Sequence, residues 1–255
     1  MRFGLAIGGL WLAVLAAGLG GHEVSAAGDG GLSSRLDPAL SGAALPPAPP
    51  ASASQTTDAR HSIGARFDGE PASPDARHVA NWIVDSGDSR GLPFVVVDKM
   101  EAKVFVFGAD GGLRGAASAL LGLARGDDAV PGIGDRPMSS IRPEERTTPA
   151  GRFVSALGRD ARGADVLWVD YDTAIALHRV ITTNPREHRA QRLASAIPLD
   201  RRISYGCINV PAAFFDHVVR PAFTGTNGIV YVLPETRSPR DVFASFNEDE
   251  RVRRQ

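Results

Sequence analysis

The sequence predicts a mainly β fold with peripheral helices, a sandwich or small barrel between residues 73 and 236. Three observations predict it. Short runs of β-branched and aromatic residues recur between turn-forming residues. Helical apolar periodicity is confined to short stretches between those runs. Residues 28–72, rich in Gly, Ala, Ser and Pro, cannot bury enough apolar surface to join a packed core.

The elements follow in order. Ser73-Pro74 reads as an N-cap followed by proline at the first helical position. Ala76, Val79, Ala80 and Ile83 then form one apolar face, and Gly87 ends the helix. Pro93 to Val97 and Val104 to Phe107, joined by a turn at 98–101, read as a hairpin. Asp110-Gly111-Gly112 turns the chain into an extended run from Leu113 to Leu121. Further strands are expected at Phe153–Leu157, Val166–Val169, Ala174–His178 and Ile229–Leu233. A helix is expected over 184–197, opened by a capping-box arrangement at Asn184 and Glu187, with Ala190, Leu193, Ala194 and Ile197 inward. Another is expected from Pro211 to Arg220, with Phe214, Phe215 and Val218 inward, stopping at Pro221.

The flanks have other purposes. Residues 1–27 read as an export signal: Arg2, an apolar stretch from Phe3 to Leu19, and small residues at Ser25-Ala26-Ala27. An uncleaved membrane anchor is the competing reading, because the stretch is nearly long enough to span a bilayer. Either reading exports the remainder to the periplasm or cell wall. Residues 28–72 are rich in Gly, Ala, Ser and Pro and read as a disordered linker, and 237–255 as a charged tail.

Composition narrows the function. A formal net charge of −1 argues against a dedicated nucleic-acid binder. A single cysteine, Cys207, excludes an internal disulfide and a multi-cysteine metal site. His22, His61, His78, His188 and His217 show no metal-ligand spacing with one another, and no metal and no cofactor are expected.

The stretch Ile203-Ser204-Tyr205-Gly206-Cys207-Ile208-Asn209-Val210-Pro211 is the most informative. Glycine permits a sharp turn, and a loop entering a helix offers free N–H groups that lower a thiol pKa and hold an oxyanion. This placement suits a nucleophilic thiolate; an inert buried cysteine is the alternative. His178, at a strand end, is the candidate base, against a purely structural histidine.

Ser204-Tyr205-Gly206-Cys207-Ile208-Asn209 resembles the Ser-His-Gly-Cys-x-Arg/Asn signature of the L,D-transpeptidases, the YkuD-type catalytic domain. Thr148-Pro149-Ala150-Gly151-Arg152-Phe153 is similar to that family's Thr-Pro-x-Gly-x-Phe segment, and His178 lies where the family places its first active-site histidine. The resemblance covers most of 90–236. It implies a β-sandwich catalytic domain acting on peptidoglycan stem peptides. Cys207 would attack the carbonyl between meso-diaminopimelate and D-Ala, with His178 as base. The thioester would pass to a second stem, giving a 3→3 cross-link, to a protein lysine, or to water. Backbone N–H groups of Tyr205, Gly206 and Cys207 would hold the oxyanion, with Ser204 and Asn209 orienting the loop.

Two departures stand out. Tyr205 replaces the family's usual histidine, leaving His178 as the base in the motif. Arg179 follows His178 where the family often has a small residue. The longer His178–Cys207 interval carries a basic cluster: Arg179, Arg186, Arg189, Arg192, Arg201 and Arg202. A solvated helix face is one reading. The other is a cap whose arginines hold substrate carboxylates, with Arg202 and Arg179 the candidates. Three functions follow: an L,D-transpeptidase, a hydrolytic L,D-carboxypeptidase or cysteine peptidase, and a cell-wall-binding module that has lost catalysis.

Overall fold

The computed structural model describes residues 64–243. The expected signal at 1–27, the linker up to 63 and the tail from 244 lie outside the described residues. Ten strands alternate with short helices. The first helix, α1 (Pro74–Ser86), is capped as its sequence dictates: the Ser73 hydroxyl accepts the Ala76 N–H at 3.1 Å, and Gly87 closes it at φ 71°.

Eight strands form one sheet. In chain order they are β1 (Phe94–Asp98), β2 (Lys103–Phe107), β3 (Leu113–Ser118), β5 (Gly151–Arg159), β6 (Asp165–Asp170), β7 (Ile175–Arg179), β9 (Ile208–Val210) and β10 (Gly228–Val232). Their spatial order is β3-β2-β1-β10-β5-β6-β7-β9. The pairs β1–β10 and β7–β9 are parallel, the others antiparallel. The two remaining strands, β4 (Leu121–Gly122) and β8 (Arg202–Ser204), pair with each other. Leu120, just beyond β3, exchanges two backbone hydrogen bonds with Asn209 of β9, at 2.8 and 2.9 Å. The run leaving one edge of the sheet therefore reaches the opposite edge, and the sheet curls almost into a barrel.

Strand periodicity sorts the side chains. Val95, Val97, Val104, Val106, Val230 and Val232 point into the curled interior, where they meet Leu167, Leu177, Ile208 and Val210 from the facing strands. The two halves of the sheet face each other across this core, which is the sandwich expected from the sequence. The alternate residues, Phe94, Phe105, Phe107 and Tyr231 among them, point outward beneath α1 and meet Val79, Ala80 and Ile83. Strands β1, β2 and β10 are thus buried on both faces, which explains their nearly continuous apolar sequences.

Four expectations need correction. The packed chain begins before residue 73: Phe67 is 5% exposed and meets Phe105 and Phe107 edge-on, with ring centroids 5.5 and 5.2 Å apart. It also extends past 236, where a short helix (Pro239–Val242) leads to Phe243, stacked on Trp82 at 6.1 Å. The stretch 184–197 is not one helix. A 3-10 turn at Pro185–Glu187 gives way at His188, φ 50°, to α2 (Arg189–Ala194). Its expected apolar face is not buried, and Ile197 is 57% exposed. Finally, Pro221 does not end its helix. A π-helical turn at Phe215–Val219 runs directly into Arg220–Phe223, so Pro221 lies within one continuous helical stretch, and the irregular π turn before it accommodates its missing N–H.

Candidate active site

The register of β7 and β9 builds the site. Leu177 pairs with Ile208 and His178 with Asn209. Leu177 and Ile208 point into the core, so His178, Asn209 and the preceding Cys207 share the opposite face. Cys207, the residue before β9, thereby lies two residues ahead of the His178–Asn209 register pair. Cys207 is not at a helix start, contrary to the expectation: β9 separates it from the helix that begins at Ala212.

The imidazole is held by its own strand. His178 Nδ1 lies 2.7 Å from the Arg179 carbonyl oxygen. A carbonyl only accepts, so Nδ1 carries the proton and Nε2 is left as the acceptor. The backbone at 179 does this work, which explains why a large side chain is tolerated there. Burial pushes the His178 pKa below the ordinary histidine value; the Arg179 bond opposes this, and the Arg189 charge reinforces it. These surroundings disfavour the imidazolium form of His178.

The thiol is partly buried, and its hydrogen-bond partner is the Ala174 carbonyl at 3.7 Å. Ala174 sits at φ 55°, a costly conformation for a residue with a Cβ, in the turn that enters β7. Burial raises the Cys207 pKa above the thiol's ordinary value, with the Ala176 backbone and the Arg189 charge pulling the other way. The expected depression by helix N–H groups is absent because the helix is elsewhere.

The loop before the cysteine is fixed on both sides. The Ser204 hydroxyl donates to the Cys207 carbonyl at 2.7 Å and accepts the Gly206 N–H at 3.1 Å. Thr148, from the Thr-Pro-x-Gly-x-Phe segment, donates its hydroxyl to the Gly206 carbonyl at 2.8 Å and accepts the Gly122 N–H at 2.9 Å. Gly206 has φ 130°, and a Cβ there would lie 2.6 Å from both the Thr147 carbonyl oxygen and the Ile175 side chain. Only glycine fits. Asn209 is buried and donates to the Cys207 carbonyl at 3.1 Å. Ser204 and Asn209 thus both bond the Cys207 carbonyl.

A cavity of about 160 Å³ opens beside Cys207, walled by Ile133, Met138, Ile141, Thr147 and Tyr205. Most of this wall comes from the stretch between β4 and β5, for which the sequence predicts no element. Tyr205 lies under the Arg146 guanidinium, 3.9 Å from carbon to ring centroid, and Arg146 is held there by the Ile141 carbonyl at 3.0 Å. Arg136, also in the wall, is paired with Glu145 at 3.0 Å.

The two arginines singled out from the sequence have other partners. Arg202 is buried and bound to Glu235 at 2.5 Å and to the Lys99 carbonyl at 2.8 Å. Arg179 is paired with Asp216 at 2.5 Å and lies over Phe215. Neither lines the cavity beside Cys207, so carboxylate binding by these two is corrected to structural pairing. The arginine beside the pair is Arg189. Its side chain is 13% exposed, and it donates to the Asn209 side-chain amide oxygen, Oδ1, at 2.8 Å. The sequence shows the basic cluster but not which member turns inward, because that depends on the break at His188.

Among the described residues no group of His, Cys, Asp and Glu could hold a metal ion, and no helix is long and apolar enough to cross a membrane.

No protein-family model matches the chain, and no curated protein does. Solved structures that match it include L,D-transpeptidase catalytic domains. The L,D-transpeptidase from Xylanimonas cellulosilytica is 15% identical, with a TM-score of 0.36, over 59% of this chain and 67% of that one. The catalytic domain of the L,D-transpeptidase from E. faecium is 19% identical, with a TM-score of 0.32, over 55% of this chain and 96% of that one. The helical cell shape determining protein from Campylobacter jejuni is 12% identical, with a TM-score of 0.38, over 66% of this chain and 58% of that one.

Proposed function

We propose that this protein is an exported cysteine acyltransferase of the L,D-transpeptidase type, acting on peptidoglycan stem peptides. One observation carries the proposal: the β7–β9 register puts Cys207 and His178 on one face, with the imidazole Nδ1 tied to the Arg179 carbonyl and Nε2 left to accept. The motif around Cys207 and the Thr148 segment supply the substrate class, through their resemblance to that family.

The chemistry is covalent catalysis by an activated thiol. His178 Nε2 takes the thiol proton as Sγ attacks the meso-diaminopimelate carbonyl carbon. The C–N bond to D-Ala breaks, the departing amine takes the proton from His178, and a Cys207 thioester remains. An amine of a second stem then attacks the thioester, forming an amide and returning the thiol. The Gly206 N–H is engaged by Ser204, so Tyr205 and Cys207 are the backbone donors proposed for the oxyanion, a narrower set than the sequence implied.

The test is product analysis with purified tetrapeptide muropeptides, with and without an added stem as acceptor. Release of D-Ala with a 3→3 dimer, lost in Cys207→Ala, is the expected result. D-Ala release without a dimer at any acceptor concentration reassigns the enzyme as a hydrolase. No release at all leaves the wall-binding module.

A further inference from the structure

We propose that Arg189 is a positioning residue for the Cys207–His178 pair: from α2 it locks the Asn209 amide beneath them and supplies the positive charge against which the thiol ionises. The inference rests on Cys207 and His178 acting as nucleophile and base, but not on the identity of the substrate.

The geometry is a short chain of contacts. Arg189 Nη1 donates to Asn209 Oδ1 at 2.8 Å, and Asn209 Nδ2 donates to the Cys207 carbonyl at 3.1 Å. A guanidinium has no acceptor and a carbonyl has no donor, so these two partners allow only one orientation of the amide. Asn209 is the register partner of His178. One arginine thus fixes the side chain that braces the cysteine and neighbours the histidine. Its Nε faces Glu187, and Arg192 ties the Glu187 carbonyl at 3.0 Å, so the break at His188 is held shut around it.

The surrounding charges single it out. Arg189 acts on both groups, and its charge lowers the pKa of each. The other charge bearing on His178 is Asp160, which acts in the opposite direction. Across the cavity, Arg136 is paired with Glu145, and Arg146 is stacked on Tyr205. A cation at Arg189 favours thiolate over thiol at Cys207 and neutral imidazole over imidazolium at His178. Both are the forms that the first step uses.

The experiment is the pH profile of iodoacetamide alkylation of Cys207 in the folded chain, with Arg189→Gln, Arg189→Lys, Glu187→Gln and, as a control, the exposed neighbour Arg186→Gln. Removing the charge is expected to move the profile up by about half to one pH unit, so Arg189→Gln alkylates about three to ten times more slowly at pH 8. Arg189→Lys should retain most of the rate, and Glu187→Gln, which leaves the cation uncompensated, should equal or exceed the unsubstituted protein. The His178 ring should titrate at higher pH in Arg189→Gln by NMR. The proposal is overturned if a folded Arg189→Gln overlays the unsubstituted profile. It is also overturned if Arg186→Gln slows alkylation as much, or if Glu187→Gln slows it. None of these readouts needs a cell-wall substrate, so they are independent of the peptidoglycan reading.

Discussion

Cys207 ionises against its surroundings. Burial opposes the thiolate, and the positive charge that favours it comes from Arg189, which is itself ion-paired with Glu187. The free enzyme is therefore expected to hold a neutral thiol beside a neutral imidazole, with the proton moving only when a carbonyl is in place. Alkylation of Cys207 should keep rising above pH 9.0, the ordinary thiol value, instead of levelling off near neutrality. A stopped-flow rate profile from pH 6 to 10.5 checks this, and a plateau below pH 8 contradicts it. The backbone setting of the motif is legible in the sequence: Gly206 stands where no Cβ fits, and Ser204 and Asn209 both bond the Cys207 carbonyl. The thiol's acidity was misread because a proline three residues past Ile208 signals a helix, while the three residues of β9 before it carry no turn or cap signal.

At the scale of elements, strands were easier to read than helices. Runs such as Phe94–Asp98 and Gly228–Val232 are apolar throughout because both faces are buried, and no solvent-facing alternation confuses their ends. The segment between β7 and β8 was harder. Its apolar spacing imitates a core-packed helix, yet its principal inward contact is the Arg189 side chain. The end of the expected linker packs for a reason its composition hides: Phe67 meets Phe105 and Phe107 while Arg66 pairs its backbone with Gly111 and Leu113. Phe67→Ala is expected to cost about 3–5 kcal/mol, the usual range for emptying a buried aromatic site. Urea denaturation of the folded chain measures it, and a loss below 1 kcal/mol would return residues 64–72 to the linker.

The described residues form a curled sheet whose edges meet at the Leu120–Asn209 bridge, braced by a buried ionic cluster. The Lys99 ammonium binds Asp127 at 2.8 Å, the Gly126 carbonyl at 2.6 Å and the Thr148 carbonyl at 2.9 Å. Thr148 in turn holds Gly206, so the cluster is connected to the loop that carries Cys207. Burial opposes ionisation of Asp127, but bonds from Lys99, Thr236 and the backbone outweigh it and hold the carboxyl well below the ordinary range. A depressed carboxyl stabilises the fold above its ordinary pKa, and that contribution is lost as pH falls toward the lower native value. Lys99→Met is expected to destabilise by about 3–5 kcal/mol at neutral pH, because it strands buried carboxylates, and to flatten the loss of stability in acid, because Asp127 loses a partner that holds its native pKa down. Denaturant midpoints at pH 7 and pH 4 measure both effects.

The central claim, that Cys207 carries an acyl group from a peptidoglycan stem, is tested most directly by intact-protein mass after brief incubation with the tetrapeptide muropeptide and acid quench. The account predicts a mass increase equal to the stem minus D-Ala, present in the unsubstituted protein and absent in Cys207→Ala. An unchanged mass, with no D-Ala released and the thiol still open to alkylation, would contradict it.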